Sequence, residues 1–271
     1  MKFVRSVLLH AGRPASTTNV LGIAFLVGCS IALFWIVQRR RMNLEFIEAI
    51  KTHDTRMAVQ MLESGADPNS VDSVGTSMAT TFTQFVRHLV HPRSKSPSGP
   101  SALLILFDGS LNRDSGRPID MNLLNALLNK GADPNVSDPY DLSPLEIVGH
   151  SPYMQLEVAR ALLDRGASVN RRNSVGDTAM LDWSVLTDPQ LVELLVNRGG
   201  AIDARATTGE TPLIRATRTN RLGTVKVLVR HGAQVGAADS KGRTAEFYAR
   251  SAGFTEISDV LRSGLNSTIH R

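Results

Sequence analysis

Leu127-Leu128-Asn129-Lys130-Gly131-Ala132-Asp133-Pro134-Asn135 decides how this chain folds, because the phrase keeps returning. It stands earlier as Met61-Leu62-Glu63-Ser64-Gly65-Ala66-Asp67-Pro68-Asn69 and later as Leu162-Leu163-Asp164-Arg165-Gly166-Ala167-Ser168-Val169-Asn170. Shorter copies are Leu195-Val196-Asn197-Arg198-Gly199 and Leu228-Val229-Arg230-His231-Gly232-Ala233, with a worn one at Val260-Leu261-Arg262-Ser263-Gly264. The glycines are separated by 66, 35, 33, 33 and 32 residues, the first interval being twice the others. Self-similarity at a period near 33 means stacked units rather than one closed core.

Each phrase reads as the end of a helix. Apolar residues stand seven, four and three places before the glycine: Ala58, Met61, Leu62; Leu124, Leu127, Leu128; Ala159, Leu162, Leu163; Val192, Leu195, Val196; Val225, Leu228, Val229. That spacing draws one stripe along an α-helix, and the glycine suits the left-handed position that terminates it. About ten residues further on, Thr211-Pro212-Leu213 and Ser143-Pro144-Leu145 pair a hydroxyl N-cap with a proline at the first helical position. Thr178-Ala179-Met180 and Thr244-Ala245-Glu246 are weaker versions. Polar, turn-rich segments such as 170–176 and 203–209 lie between. Each unit is therefore helix, turn, helix and extended loop, and a unit buries its stripe only by stacking on its neighbours.

On these residues the repeats resemble ankyrin repeats. The clearest copy runs from Gly209-Glu210-Thr211-Pro212-Leu213 to His231-Gly232-Ala233 without a gap, and the resemblance covers roughly 43–264. It implies an all-α solenoid of L-shaped helix pairs with projecting loop fingers, and a protein that binds other macromolecules. Three departures stand out. The family's histidine after Thr-Pro-Leu is replaced by Thr80, Leu104, Glu146, Leu181, Ile214 and Phe247. Trp183 falls where the family has alanine, which requires that unit to splay. Regularity fails over 75–130: a helix-like stretch at 75–90 is followed by His91-Pro92-Arg93-Ser94-Lys95-Ser96-Pro97-Ser98-Gly99-Pro100, which excludes an ordinary helix. This is one expanded unit or two degraded ones.

Ahead of the repeats, the run VLGIAFLVGCSIALFWIV at 20–37 carries no charge and ends at Gln38-Arg39-Arg40-Arg41. At ~1.5 Å per residue eighteen residues nearly span a bilayer core of ~30 Å, so 20–38 is expected to be a transmembrane helix after a basic flank at 1–19. No small-residue cleavage site follows, against a signal peptide. The triple arginine outweighs Lys2, Arg5 and Arg13 and places the repeat domain in the cytoplasm of a single-pass cell-membrane protein. Ala24, Gly28 and Ala32 form a small-residue stripe suited to a homodimer. The helix pair expected at 43–51 and 55–64 follows almost without a linker, and 265–271 reads as a frayed tail.

Chemistry is sparse. A net charge of +5 is spread along the chain, which argues against a nucleic-acid partner, and a single cysteine excludes an internal disulfide. His88 and His91 lack local carboxylate or cysteine partners, so no metal site is expected, and no cofactor or catalytic motif is found. The expected function is a membrane-anchored scaffold that binds another protein through its fingers and first helices. Tyr140, Arg171, Arg172, Arg205 and Lys241 are the candidate contacts, forming with Arg171, Arg172 and Arg205 a basic patch for an acidic partner or lipid headgroups. Phe247 and Tyr248 are expected to pack the C-terminal cap. The alternative is the opposite topology: a periplasmic or extracellular array that protects or assists a toxin or enzyme.

Overall fold

A computed structural model describes residues 17–71, 101–111, 119–150 and 155–269. The basic flank ahead of 17, the stretch 72–100 with His88 and His91, and 112–118 lie outside the described residues. The helices are α1 (Thr17–Lys51), α2 (Thr55–Glu63), α3 (Ala102–Leu111), α4 (Met121–Asn129), α5 (Pro144–Val148) and α6 (Gln155–Asp164). Two 3-10 turns follow, Ala179–Leu181 and Val185–Thr187, then α7 (Pro189–Asn197), α8 (Pro212–Arg218), α9 (Leu222–Arg230), α10 (Ala245–Ser251) and α11 (Thr255–Ile269). No strand forms among the described residues; there are two isolated bridges, Val71 with Ser101 and Ala238 with Thr244.

The stripe residues explain the two-layer stack. Ala58, Leu124, Ala159, Val192 and Val225, each seven before a glycine, are completely buried. Second helices α2, α4, α6, α7, α9 and α11 pack on one another in that order. First helices α1, α3 and α5, the 3-10 pair, α8 and α10 form the other layer. The five phrase glycines from 65 to 232 have φ between 82° and 102°, the left-handed turn the phrase requires. Gly264 differs. It lies inside α11, where a Cβ would come within 2.7 Å of Val229 Cγ1, so it serves close helix packing and not a turn. The expected tail from 265 is helical through Ile269.

What registers one unit on the next is the asparagine four places after the glycine. Asn69 Nδ2 donates to the Gly131 carbonyl at 2.9 Å while its Oδ1 accepts from Asp133 N–H at 2.7 Å. Asn135 spans Gly166 and Ser168 at 3.1 and 2.7 Å, and Asn170 spans Gly199 and Ala201 at 2.9 and 2.7 Å. Each clamp satisfies two backbone groups of the turn that follows a second helix. Asn69 reaches Gly131 directly, and Ala102 N–H donates to Ser70 O at 2.9 Å. Among the described residues the doubled interval therefore holds one helix pair, α3 and α4, bonded directly to the end of the first unit. In the fourth clamp, Asp203 accepts from Gln234 N–H at 2.9 Å and has no proton for the Gly232 carbonyl. Asp203→Asn supplies that donor and removes a negative charge beside the carboxyl end of α9. It is expected to stabilise the chain by about 0.5–1 kcal/mol, read as a higher denaturation midpoint; an unchanged or lower midpoint refutes the clamp.

Two more helix expectations need correction. Thr178-Ala179-Met180 does not open an α-helix. Asp182 Oδ1 accepts from Ser184 N–H at 2.8 Å and breaks the segment into two 3-10 turns, leaving the Thr178 hydroxyl buried without a partner. This is the local splay that Trp183 demands, and Gly149 accommodates it: a Cβ there would meet Val185 N at 2.9 Å. Nor is 43–51 a separate helix. It continues α1 without a break, with Phe46, Ile47 and Ile50 buried against the array. Among the described residues no helix is long and apolar enough to cross a membrane. The side chains of 17–26 and Cys29 are outside the description, Ala24 among them. Gly28 has nothing within 4 Å of a built Cβ and Ala32 is exposed, so the expected homodimer stripe gains no support.

Candidate protein-interaction surface

The first-helix face of the last three units carries a continuous chain of aromatic and guanidinium groups. The 3-10 break turns Trp183 outward, where it is 43% exposed. Arg215 and Arg218, one helical turn apart on α8, lie 5.3 and 5.4 Å from its ring centre. Arg218 continues to the Tyr248 ring at 5.5 Å, Arg243 covers that ring at 5.0 Å, and Phe247 meets Tyr248 edge-on at 5.7 Å. Tyr248 packs within the cap as expected. Phe247 does not: it is 51% exposed and belongs to the outer surface.

Carboxylates beneath the face hold the arginines in place. Arg215 pairs with Asp177 at 2.7 Å and Glu210 at 3.3 Å and donates to the Leu181 carbonyl, while Arg218 pairs with the other Glu210 oxygen. Two successive units are thereby tied through side chains. Arg243 pairs with Asp239 at 2.8 Å, and Tyr248 Oη donates to the same carboxylate at 2.7 Å. Burial alone would raise the Asp239 pKa. Hydrogen bonds from the Arg243 amide, the Tyr248 hydroxyl, the Arg243 guanidinium and the Lys241 amide outweigh it and hold the carboxyl far below the usual range. Burial and the bond to Asp239 push the Tyr248 hydroxyl up.

A depressed carboxyl makes the unfolded chain the better proton binder between the two pKa values, so stability rises with pH there. The Asp239 contribution is present above about pH 4, the unfolded value, and is lost as pH falls further. Thermal midpoints followed by far-ultraviolet circular dichroism should drop on acidification below pH 4. Tyr248→Phe, which removes one of the bonds, should flatten that drop; an unchanged acid slope would contradict the assignment.

The position of the missing family histidine is also explained. Glu146 is buried, accepts from Ser143 N–H and Oγ at 2.8 and 2.7 Å, and accepts from Asn173 Nδ2 of the next unit at 3.0 Å. A carboxylate thus does the inter-unit bridging there. Near it, His150 pairs with Asp182 at 3.5 Å and Ser184 bonds the same carboxylate. Burial opposes ionisation of Asp182, but bonds from His150 and Ser184 lower its pKa. The hydroxyl and the imidazole thus share one carboxylate, Ser184 at Oδ1 and His150 at Oδ2.

The candidate contacts fall elsewhere, on the fingers. Tyr140 is 80% exposed at a turn that Asp138 caps, 2.9 Å from the Tyr140 amide. Arg171 is drawn inward by the Asp141 carbonyl at 2.9 Å and by the Asp141 and Glu146 carboxylates, so it ties fingers together. Arg172 Nη1 donates to Arg205 O at 3.1 Å, and Arg205 Nη1 donates to Ala238 O at 2.9 Å, repeating one bond a unit later. Lys241 is exposed on the last finger. The aromatic–arginine face was not among the expected contacts. Trp183 had signalled an anomaly, but only the fold brings it beside Arg218. No group of metal-ligating side chains occurs among the described residues.

No curated protein matches the chain. A family model described as ankyrin repeats matches residues 181–269 in three copies, the same three units that carry the aromatic–arginine face. With the stacked helix pairs and left-handed glycine turns, this identifies ankyrin repeats at residues 181–269.

Proposed function

We propose that the chain is a scaffold that binds another protein through the first-helix face of these repeats, without catalysis of its own, and that α1 anchors it in a membrane. The observation that carries the binding reading is the run Trp183–Arg218–Tyr248–Phe247, exposed at Trp183, Arg218 and Phe247 and pre-ordered by the carboxylates beneath it. Aromatic and arginine side chains dominate binding energy at interfaces, and side chains already held in place lose little entropy on docking. The anchor reading is supported by the uncharged sequence at 20–37. It is supported too by Val27, Ile31, Leu33, Phe34, Trp35 and Val37, which stand exposed on a helix that runs into Arg39–Arg41.

Full-length protein crosslinked in its native membrane should recover a partner that Trp183→Ala/Phe247→Ala recovers about tenfold less well. Equal recovery by a folded double variant refutes the face. A reporter fused at the C-terminus decides topology: activity outside the cell replaces the cytoplasmic assignment with the protective extracytoplasmic one.

A further inference from the structure

Helix α1 is both the first helix of the first unit and the carrier of the exposed apolar residues, and this fixes which edge of the array lies beside them. Helix α2 returns antiparallel after the 52–54 turn. Its end comes level with 39–43: Asp67 N–H donates to Asn43 Oδ1 at 3.0 Å, and the Asp67 carboxylate pairs with Arg39 at 3.6 Å. Val37 is six residues before Asn43, so the glycine turn sits about 9 Å from the last apolar side chain along the axis. That is within a Debye length of ~8–10 Å. The asparagine clamps then keep the later glycine turns, and the fingers beside them, on this same edge. The turns between first and second helices, such as 219–221, lie on the opposite edge.

Among the described residues the finger side carries three cations that no carboxylate pairs. Arg172 and Arg205 are exposed, and their guanidiniums donate to backbone carbonyls, which fix their position and leave their charge. Among the described residues neither they nor Lys241 has a carboxylate within ion-pair distance; Arg171, in contrast, is paired. Tyr140 and Val175, 80% and 61% exposed, occupy equivalent finger tips. Basic groups with exposed aromatic and apolar tips are the composition that settles at an anionic lipid surface.

We infer that the glycine-turn and finger edge lies on the bilayer, with Arg172, Arg205 and Lys241 facing anionic lipid headgroups and Tyr140 seated at headgroup level. The inference rests on the anchor reading of α1. It leaves the aromatic–arginine face free for the protein partner and makes the array a rail along the membrane, not a domain on a tether.

The test uses the full chain, with Cys29→Ala, in nanodiscs of either phosphatidylcholine alone or phosphatidylcholine with phosphatidylserine. A fluorophore is placed at Thr207→Cys on a finger or at Arg221→Cys on the opposite edge, with a headgroup-attached quencher. The Thr207 position should be quenched at least about threefold more than the Arg221 position, and more strongly in the anionic discs. Arg172→Glu/Arg205→Glu/Lys241→Glu should abolish the lipid dependence while leaving the far-ultraviolet circular dichroism unchanged. Equal quenching at both edges of an inserted protein overturns the inference. So does lipid-independent quenching combined with binding of a polyglutamate peptide, which assigns the strip to an acidic protein. Failure of the wild-type chain to resist alkaline extraction from membranes sinks the anchor reading itself, a separate outcome.

Discussion

Arg215→Ala should cost the C-terminal repeats about 3–5 kcal/mol, the largest effect expected from a polar substitution in this chain. The guanidinium is 8% exposed and is held between Asp177 and Glu210, with the Leu181 carbonyl and the Trp183 ring completing its shell. Truncation removes the cation, leaving Asp177 without its ion-pair partner and Glu210 with Arg218 alone, in a site with little water. The loss should be local. Stability of a stacked array is close to a sum of unit and interface terms, so hydrogen exchange should accelerate in α7–α11 and stay slow in α2 and α4. Arg215→Met combined with Asp177→Asn and Glu210→Gln removes the charges together and should recover much of the loss. If Arg215→Ala alone is within 1 kcal/mol of the wild type, about the value of an exposed pair, the network does not join the units.

Leu195→Ala should destabilise by about 3 kcal/mol for a different reason. Leu195 is completely buried on α7, which packs between α6 and α9, so truncation opens a void at two interfaces. Val196, its neighbour in the stripe, is only partly buried, and Val196→Ala should cost about 1 kcal/mol or less. The comparison is read in urea midpoints at constant slope; a change of slope would mean that the units unfold separately. Similar losses at 195 and 196 would contradict the inward assignment of the stripe.

Much of this architecture was legible along the chain because its determinants are local. A helix stripe and a left-handed glycine are short-range features, and thirty-three residues separate their copies too regularly to arise by accident. Thr211 and Thr244 cap as their sequence suggests, donating no surprise: their hydroxyls accept from Ile214 and Phe247 N–H at 3.3 and 3.2 Å. Thr178 has the same local signal but fails, because the Asx turn of Asp182 and the bulk of Trp183 compete with the helix. The finger arginines illustrate the complementary limit. Arg171 and Arg172 are adjacent in sequence, yet one meets carboxylates and the other carbonyls of the following unit. Nothing local distinguishes them.

By itself, then, the sequence determined the period, the helix pairs and the chain's mixed character, an apolar lead followed by a repeat array. These depend on residues within a turn or two of each other. The tertiary structure alone brought the two ends of the doubled interval together, with Asn69 reaching Gly131 across sixty-two residues. It likewise decided that Gly264 packs a helix, and that Trp183, Arg218 and Tyr248 from three units make one face. Such contacts form only once stacking has brought distant units to hydrogen-bonding or ring-contact distance, and no spacing rule along the chain encodes them.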